Sequence, residues 1–276
     1  MADQKACGCK GIRTCLQCEN DGVPVSQGEI PCPKTPNKDK KLQRWHYCRE
    51  CQKAWKEAAV HPQHGDAESM AFPGITIIPH FVTEEEEKSL VQQIDSSLWS
   101  ASQSGRKKQD FGPKVNFKKK KLKLAKFTGL PNYSKFIYDR MLEHDSLKDF
   151  IPVELCNLEY IPERGSAIDP HFDDFWLWGE RLVTLNLLSG TFLSMTKDGS
   201  DVEVAVPMDR RSLIVVHGAA RYEWKHAVIR EDVQARRLAT TLRELTPEFL
   251  SGGSNELLGR QIIDLALTFT GAPIES

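Results

Sequence analysis

The chain has no long apolar run. Nothing in its 276 residues approaches the ~18 consecutive apolar side chains of a membrane helix, and the longest apolar stretches are short pieces such as 213–216. Integral helical membrane functions are excluded. Residues 1–10 lack the apolar core of a secretory signal and include Cys7 and Cys9, which points to an intracellular protein of cytoplasm and nucleus. Cysteine is almost missing beyond residue 51: seven of the eight lie within residues 1–51 and only Cys156 after them. Charge of either sign is not in excess, the formal net charge being -1. What is present, 40% hydrophobic and 27% charged residues, suffices for a sizeable core and excludes wholesale disorder.

The small net charge conceals an asymmetry. Residues 106–126 hold ten Lys or Arg against one acid, Asp110, and the segment 1–60 is also basic, so the remainder is strongly acidic. A basic strip on an acidic body is a candidate footprint for a polyanion or an acidic protein surface; the plain alternative is a solvated lysine-rich face.

Cysteine clustering and prolines 24, 31, 33 and 36 divide the chain into a Cys-rich module at 1–60, with a poorly structured connector over 19–44, a linker at 61–71 and a main domain from Phe72 to the end. The run 74–78 is β-branched, and Thr83-Glu84-Glu85-Glu86 is a capping box opening a helix through Ile94. Helical spacing recurs over 133–144 and 255–269. Beyond residue 150, short runs at 153–160, 182–188, 191–195, 202–206, 212–216, 225–229 and 237–243 predict at least seven strands. Helices ahead of many strands suggest an α+β architecture, a β-sandwich or jelly roll buttressed by helices.

The sharpest feature is His171-Phe172-Asp173 with His226 55 residues later. Residues i and i+2 of a strand share a side, so His171 and Asp173 can grip one ion, and His226 can close the set from a facing sheet. Two histidines and one carboxylate form the facial triad of non-haem Fe(II) oxygenases; alone, H-x-D is also compatible with a surface turn. The strand 237–243 adds Arg237, Ala239, Thr241 and Arg243 on one face and Leu238, Thr240 and Leu242 on the other. Two inward guanidiniums demand anionic partners, which a dicarboxylate would supply. For Arg243, salt bridges to Asp173 or Asp174 are the alternative.

The H-x-D, the distant histidine and the strand Arg237-Leu238-Ala239-Thr240-Thr241-Leu242-Arg243 resemble the signature of the AlkB family of Fe(II)- and 2-oxoglutarate-dependent dioxygenases, over most of the chain from Phe72. The N-terminal Cys7-Gly8-Cys9-Lys10-Gly11-Ile12-Arg13-Thr14-Cys15 and the stretches 104–117 and 163–171 resemble the fourth animal branch of that family. The resemblance implies a double-stranded β-helix core, iron held by His171, Asp173 and His226, and 2-oxoglutarate held by Tyr160, Arg237, Thr241 and Arg243. Two departures stand out. The family's N-x-Y pattern appears here as Asn157-Leu158-Glu159-Tyr160, with Asn157 one residue out of register, and the family's asparagine in the arginine strand is Ala239.

The activity so implied is oxidative N-demethylation with Fe(II), 2-oxoglutarate and O2, releasing succinate, CO2 and formaldehyde. The branch implies monomethyl-lysine in protein, with actin the expected target, and N6-methyladenine in DNA. The strip 106–126 occupies the family's substrate-lid region, with Arg106, Lys107, Lys108 and Phe111, together with Asp174, as candidate substrate residues. Phe111, Phe117 and Phe127 interleave the lysines, a pattern suited to stacking bases between phosphate contacts, while an acidic protein such as actin would suit the same charge.

Cys7, Cys9, Cys15 and Cys18 fall within twelve residues, and His46, Cys48 and Cys51 offer a second group. Such spacing without a secretion signal favours zinc over disulfides; a reduced tail with incidental cysteines is the alternative. Cys32 has no evident partner, Cys156 reads as core, and His61, His64, His80, His144 and His217 have no assigned role. The competing functional class is a zinc-bearing adaptor that binds nucleic acid or cytoskeletal partners, with catalysis incidental.

Overall fold

The computed structural model describes residues 8–9, 15–20, 42–58 and 63–274. Cys7, Cys32 and His61 lie outside the described residues, as does most of the connector expected over 19–44. Among the described residues, no helix is long and apolar enough to cross a membrane.

Two seven-stranded sheets face each other. The major sheet runs in the order Ile75–Ile78, Leu213–Val216, Trp178–Leu187, Arg237–Leu245, Glu154–Tyr160, Lys107–Phe111 and Ser100–Ala101, all antiparallel. The minor sheet runs Ile168–His171, Lys225–Val228, Thr191–Thr196, Val202–Met208, Gln43–Cys48, Lys53–Trp55 and Ser69–Ala71. The eight strands in succession from Glu154 to Leu245 distribute four to each sheet, which is the double-stranded β-helix. Each run predicted beyond residue 150 is a strand. The short strand Ile168–His171 escaped because Asp169-Pro170 reads as a turn; it sits at the edge of its sheet, where a proline without an N–H is tolerated.

Period-two alternation decides which face goes where. In Leu213–Val216, Leu213 and Val215 join the core beneath the helices, while Ile214 and Val216 face the space between the sheets. The helix Glu84–Asp95 starts at the predicted capping box, Thr83 with Glu86, and buries Leu90 and Ile94 against the major sheet. Its buried Glu87 accepts from Leu188 N at 2.8 Å and from Arg210, pinning the helix to the sheet's loops. Ser134–Met141 and Glu256–Ala266 complete the helical layer, within the spans predicted for them.

The border expected at Phe72 is not a structural border. Gln43–Cys48 pairs in parallel with Val202–Met208, and Ser69–Ala71, inside the expected linker, pairs with Lys53–Trp55. These strands widen the minor sheet, because Trp45 and Tyr47 bury in the inter-sheet core. The basic strip is not one lid either. Lys107–Phe111 is an inner strand of the major sheet, and the lysines gather further on, around the hairpin Lys114–Asn116 and Lys121–Lys123.

Candidate active site

The inter-sheet space narrows to a cavity of about 620 Å³, mouth included, which touches His171, Asp173, His226, Tyr160, Arg237, Thr241 and Arg243. Every residue proposed from the sequence for the iron or the cosubstrate therefore lines one pocket. His171 and His226 are neighbours in the antiparallel register of the minor sheet, with ring centroids 4.3 Å apart. His226 thus closes the set from the adjacent strand, not from the facing sheet. Asp173 lies in the loop past the strand's end, where its Oδ1 is 3.6 Å from His171 Nε2 and 3.9 Å from His226 Nε2. One ligand atom from each lies within 4.8 Å of the other two.

The surroundings prepare these atoms for a cation. His171 Nδ1 is 2.8 Å from the Asp169 carbonyl oxygen, a contact that puts the proton on Nδ1 and leaves Nε2 bare. Burial pushes the His226 imidazole down to about 4, so it is neutral near pH 7. Burial opposes charge on Asp173 too, but the Arg243 guanidinium, the largest of the opposing influences, holds the carboxyl well below its usual range. Arg243 Nε donates to Asp173 Oδ2 at 2.7 Å and its Nη1 to Glu154 Oε2 at 2.6 Å. Of the two readings of Arg243, a free anchor for the cosubstrate and a salt bridge to Asp173, the geometry shows the second; Asp174 is not its partner. Two imidazole nitrogens and one carboxylate oxygen, with open space in front, fit a divalent iron with free coordination positions.

Arg237 occupies the closed end of the pocket. It is buried, lies 4.8 Å over the Tyr160 ring, and donates through Nε to Asn186 Oδ1. Its Nη1 has no hydrogen-bond partner among the described residues. A buried guanidinium with an idle N–H is costly unless an anion arrives, which is what the distal carboxylate of 2-oxoglutarate provides. Thr241 Oγ1 lies 3.1 Å from Thr184 Oγ1 on the pocket wall. Ala239 leaves space between the two arginines.

Sequence reasoning missed three supporting residues. Asn186 spends its amide on three backbone carbonyls, of Ser189, Met208 and Asp209, and so fixes the oxygen that holds Arg237. A lone asparagine in the apolar strand 182–187 was a usable signal, since a buried amide must find partners. Glu154 shares Arg243 with Asp173. Arg221, buried, donates to the carbonyls of Asp173 and Asp174 at 3.0 and 2.9 Å and so clamps the loop carrying the carboxylate; nothing in its sequence context marked it.

Asn157, out of register with the family pattern, points away from the pocket. Buried, it bonds Gln109, Tyr133 and Thr240 beneath the helices, while Leu158 takes the pocket position two before Tyr160.

Several candidate substrate residues do other work. Phe111 is 1% exposed and packs edge-on against Tyr133, so it cannot stack on substrate. Phe127 is likewise core, and only Phe117 is exposed, its ring 6.2 Å from that of Trp178. Arg106 is buried over the outer side of Tyr160 at 5.9 Å, and Lys108 pairs with Asp110. Lys107 is half-buried on the same strand. Asp174 caps the turn that follows it, accepting from Trp176 N and Leu177 N. The cause is shared: β-pairing turns alternate side chains of 107–111 inward, which composition alone does not show.

Among the described residues, the cysteines ahead of the oxygenase strands form two separate groups. Cys9, Cys15 and Cys18 converge in one, and Cys48, Cys51 and His64 in the other. His46 is not a member: it lies on the strand two residues, roughly 6.6 Å, before Cys48. His64 replaces it, stacked on Trp55 at 4.1 Å, and Trp55 Nε1 donates to Cys51 Sγ at 3.3 Å. Cys156 is buried, as expected of a core residue.

No protein-family model matches the chain. It is 46% identical to human alpha-ketoglutarate-dependent dioxygenase alkB homolog 4, over 98% of this chain and 96% of that protein. The mouse protein of the same name is 45% identical, over 97% and 96%. A DNA N6-methyl adenine demethylase of Caenorhabditis elegans is 34% identical, over 95% and 94%. With a pocket built for iron and a dicarboxylate, and with relatives of this identity along nearly the whole length, the chain belongs to the AlkB family of Fe(II)- and 2-oxoglutarate-dependent dioxygenases, as an AlkB-type demethylase.

Proposed function

We propose that the chain removes N-methyl groups from N6-methyladenine in DNA and from monomethyl-lysine in an actin-type protein, releasing formaldehyde, succinate and CO2. The observation that carries the demethylase reading is the convergence of His171, Asp173 and His226 in one pocket with Arg237, whose Nη1 has no partner among the described residues. The adenine arm is supported by the C. elegans relative, a DNA N6-methyl adenine demethylase. Exposed lysines 118–121 and the half-exposed pair Phe175 and Tyr222, with rings 5.4 Å apart and both against Arg221, which clamps the Asp173 loop, suit a charged substrate with an extruded flat or alkyl group. The lysine arm rests on the family resemblance and on the same basic hairpin. An intracellular chain with these substrates works in both cytoplasm and nucleus.

When bound, iron and 2-oxoglutarate supply the oxidising power for a methyl C–H bond. The chain's own part is placement. His171 Nε2, His226 Nε2 and Asp173 Oδ1 present three donors on one side; Arg237 and Tyr160 fix the far end of the dicarboxylate; Leu158, Leu182, Leu193 and Ile214 keep the pocket dry. The hydroxymethylated amine then collapses to formaldehyde and the free amine without further help.

The test is parallel formaldehyde and succinate measurement with N6-methyladenine DNA and monomethyl-lysine actin. Formaldehyde above the unmethylated control from either substrate, abolished by H171A with the fold intact, supports that arm. Succinate formation without formaldehyde from either would overturn the substrate reading, and succinate unaffected by H171A would overturn the site.

A further inference from the structure

Away from the oxygenase pocket, three thiols meet. Cys9, Cys15 and Cys18 are all buried, their sulfurs lie within 4.8 Å of one another, and Sγ of Cys15 and Cys18 are 3.8 Å apart. A disulfide needs about 2.0 Å. Two metal–thiolate bonds of about 2.3 Å at the tetrahedral angle place their sulfurs about 3.8 Å apart. The spacing is therefore that of co-ligands.

The backbone beside Cys9 offers donors to its sulfur. The amides of Ser104 and Gly105 both donate to the thiol and favour its charged form, against a burial that pushes the Cys9 thiol up overall. To aim them, Ser104 and Gly105 adopt left-handed conformations with φ 53° and 70°. For a buried non-glycine such as Ser104 that conformation carries backbone strain. Hydrogen bonds to a neutral thiol are too weak to offset it, whereas those to a metal thiolate are charge-assisted. Packing leaves no slack here: a Cβ on Gly105 would sit 2.4 Å from the Arg164 carbonyl oxygen.

The same turn connects to the iron ligands. Ser104 O accepts from Ala167 N, and Gly105 O from Ser166 Oγ and Arg164 Nε. Ala167 immediately precedes the strand Ile168–His171. On the other side, the helix Leu16–Asn20 begins beside Cys15, and its Glu19 forms a bidentate pair with Arg230 at 2.8 and 3.0 Å. Arg230 lies two residues past Lys225–Val228, the strand that carries His226.

We propose that Cys9, Cys15 and Cys18 bind one zinc ion as thiolates, and that this ion fastens the turn and the short helix that brace the strands of His171 and His226. Three soft sulfur donors select zinc over the harder divalent ions, and the Cys15–Cys18 separation is that of tetrahedral co-ligands. The inference does not depend on which methylated substrate is turned over.

The test uses the full-length protein. Zinc is measured by elemental analysis, and iodoacetamide labelling is mapped by mass spectrometry before and after zinc is extracted with a chelator. Protection of Cys9, Cys15 and Cys18 in the native protein, lost on extraction, is the expected result; equal labelling before and after overturns the site, and needs no variant to fold. C18S should lose one zinc per chain both in the native background and in C48S/C51S; full retention overturns the assignment. For the bracing, iron and 2-oxoglutarate are titrated into C18S and followed by the metal-to-ligand absorption band. A midpoint raised about tenfold is expected, and an unchanged midpoint alongside zinc loss overturns the brace.

Discussion

Replacing Arg243 with methionine should damage the protein more than any surface change, and its cost can be worked from the contacts. The guanidinium stands between Asp173 Oδ2 at 2.7 Å and Glu154 Oε2 at 2.6 Å, with all three side chains largely withdrawn from water. Methionine fills similar volume but leaves two carboxylates facing each other across a dry gap. Removing one partner of a buried pair costs about 3–5 kcal/mol. For a chain of this size that is a fall in Tm of roughly 10 °C. Neutralising the second acid should return part of it, so R243M/E154Q ought to recover about 1–2 kcal/mol relative to R243M. The measurement is urea unfolding of iron-free protein, since bound ligand would add stability by mass action. A loss under about 1 kcal/mol in R243M, or no recovery in the double variant, would refute the idea that Arg243 is chiefly the counter-ion of Asp173.

Four further outcomes follow from the same structure. R237M should weaken 2-oxoglutarate binding about 10- to 100-fold, the worth of a charge-assisted pair at 1.5–3 kcal/mol, while metal-only binding by calorimetry is unchanged; N186A should show a smaller loss in the same assay. Charge reversal of Lys118, Lys119, Lys120 and Lys121 should raise KM for methylated DNA and flatten its salt dependence, leaving kcat intact, and a salt slope equal to the native one would discount the hairpin. F175A/Y222A should lower kcat/KM for substrate without altering succinate release in substrate's absence. Finally, the Arg140 hydrogen bonds hold the Glu86 carboxyl down at about 2, against 4.5 in the unfolded chain. Its stabilisation is therefore complete above pH 4.5 and lost as pH falls toward 2; with the pair about a third exposed, the effect is about 1 kcal/mol, and E86Q should remove that part of the acid dependence in pH-dependent denaturation.

The sequence made the pocket legible because strand chemistry is local. Alternation along 237–243 sorts Arg237, Thr241 and Arg243 from Leu238 and Leu242, and a register follows from burying one face. H-x-D reads for a different reason than the strand alternation expected of it: His171 ends its strand and Asp173 lies in the loop beyond, where Arg243 and Arg221 hold it. What failed was anything requiring two distant segments. His64 is sixteen residues from Cys48 and reaches it only because the chain folds back over Trp55. The pairing of Gln43–Cys48 with Val202–Met208 spans more than 150 residues and has no sequence signature. Lysine density at 106–126 suggested one surface, yet Lys107–Phe111 is sheet because its partner Glu154–Tyr160 accepts it, burying Gln109 and Phe111. Composition predicts exposure only where no neighbouring strand competes.

The division of labour on Asp173 leads to a sharper expectation about asparagine. Oδ1 faces both histidines while Oδ2 is taken by Arg243 Nε, and Arg221 fixes the backbone behind them. Only one oxygen is left for the metal, so the carboxylate is held to a single bond and coordination positions stay free for the dicarboxylate and dioxygen. D173N can satisfy one of these demands at most. With its oxygen toward the histidines, its amide N–H faces Arg243 Nε, donor against donor; turned over, the amide nitrogen faces the metal and cannot ligate. D173N should therefore lose the iron and 2-oxoglutarate absorption band and also some stability without metal, whereas D173E, which keeps two acceptors on a longer arm, should retain part of the stability but bind iron poorly. A D173N protein with the native band midpoint would show that Arg243 releases the carboxylate when the metal arrives, and the fixed partition between the two oxygens would be wrong.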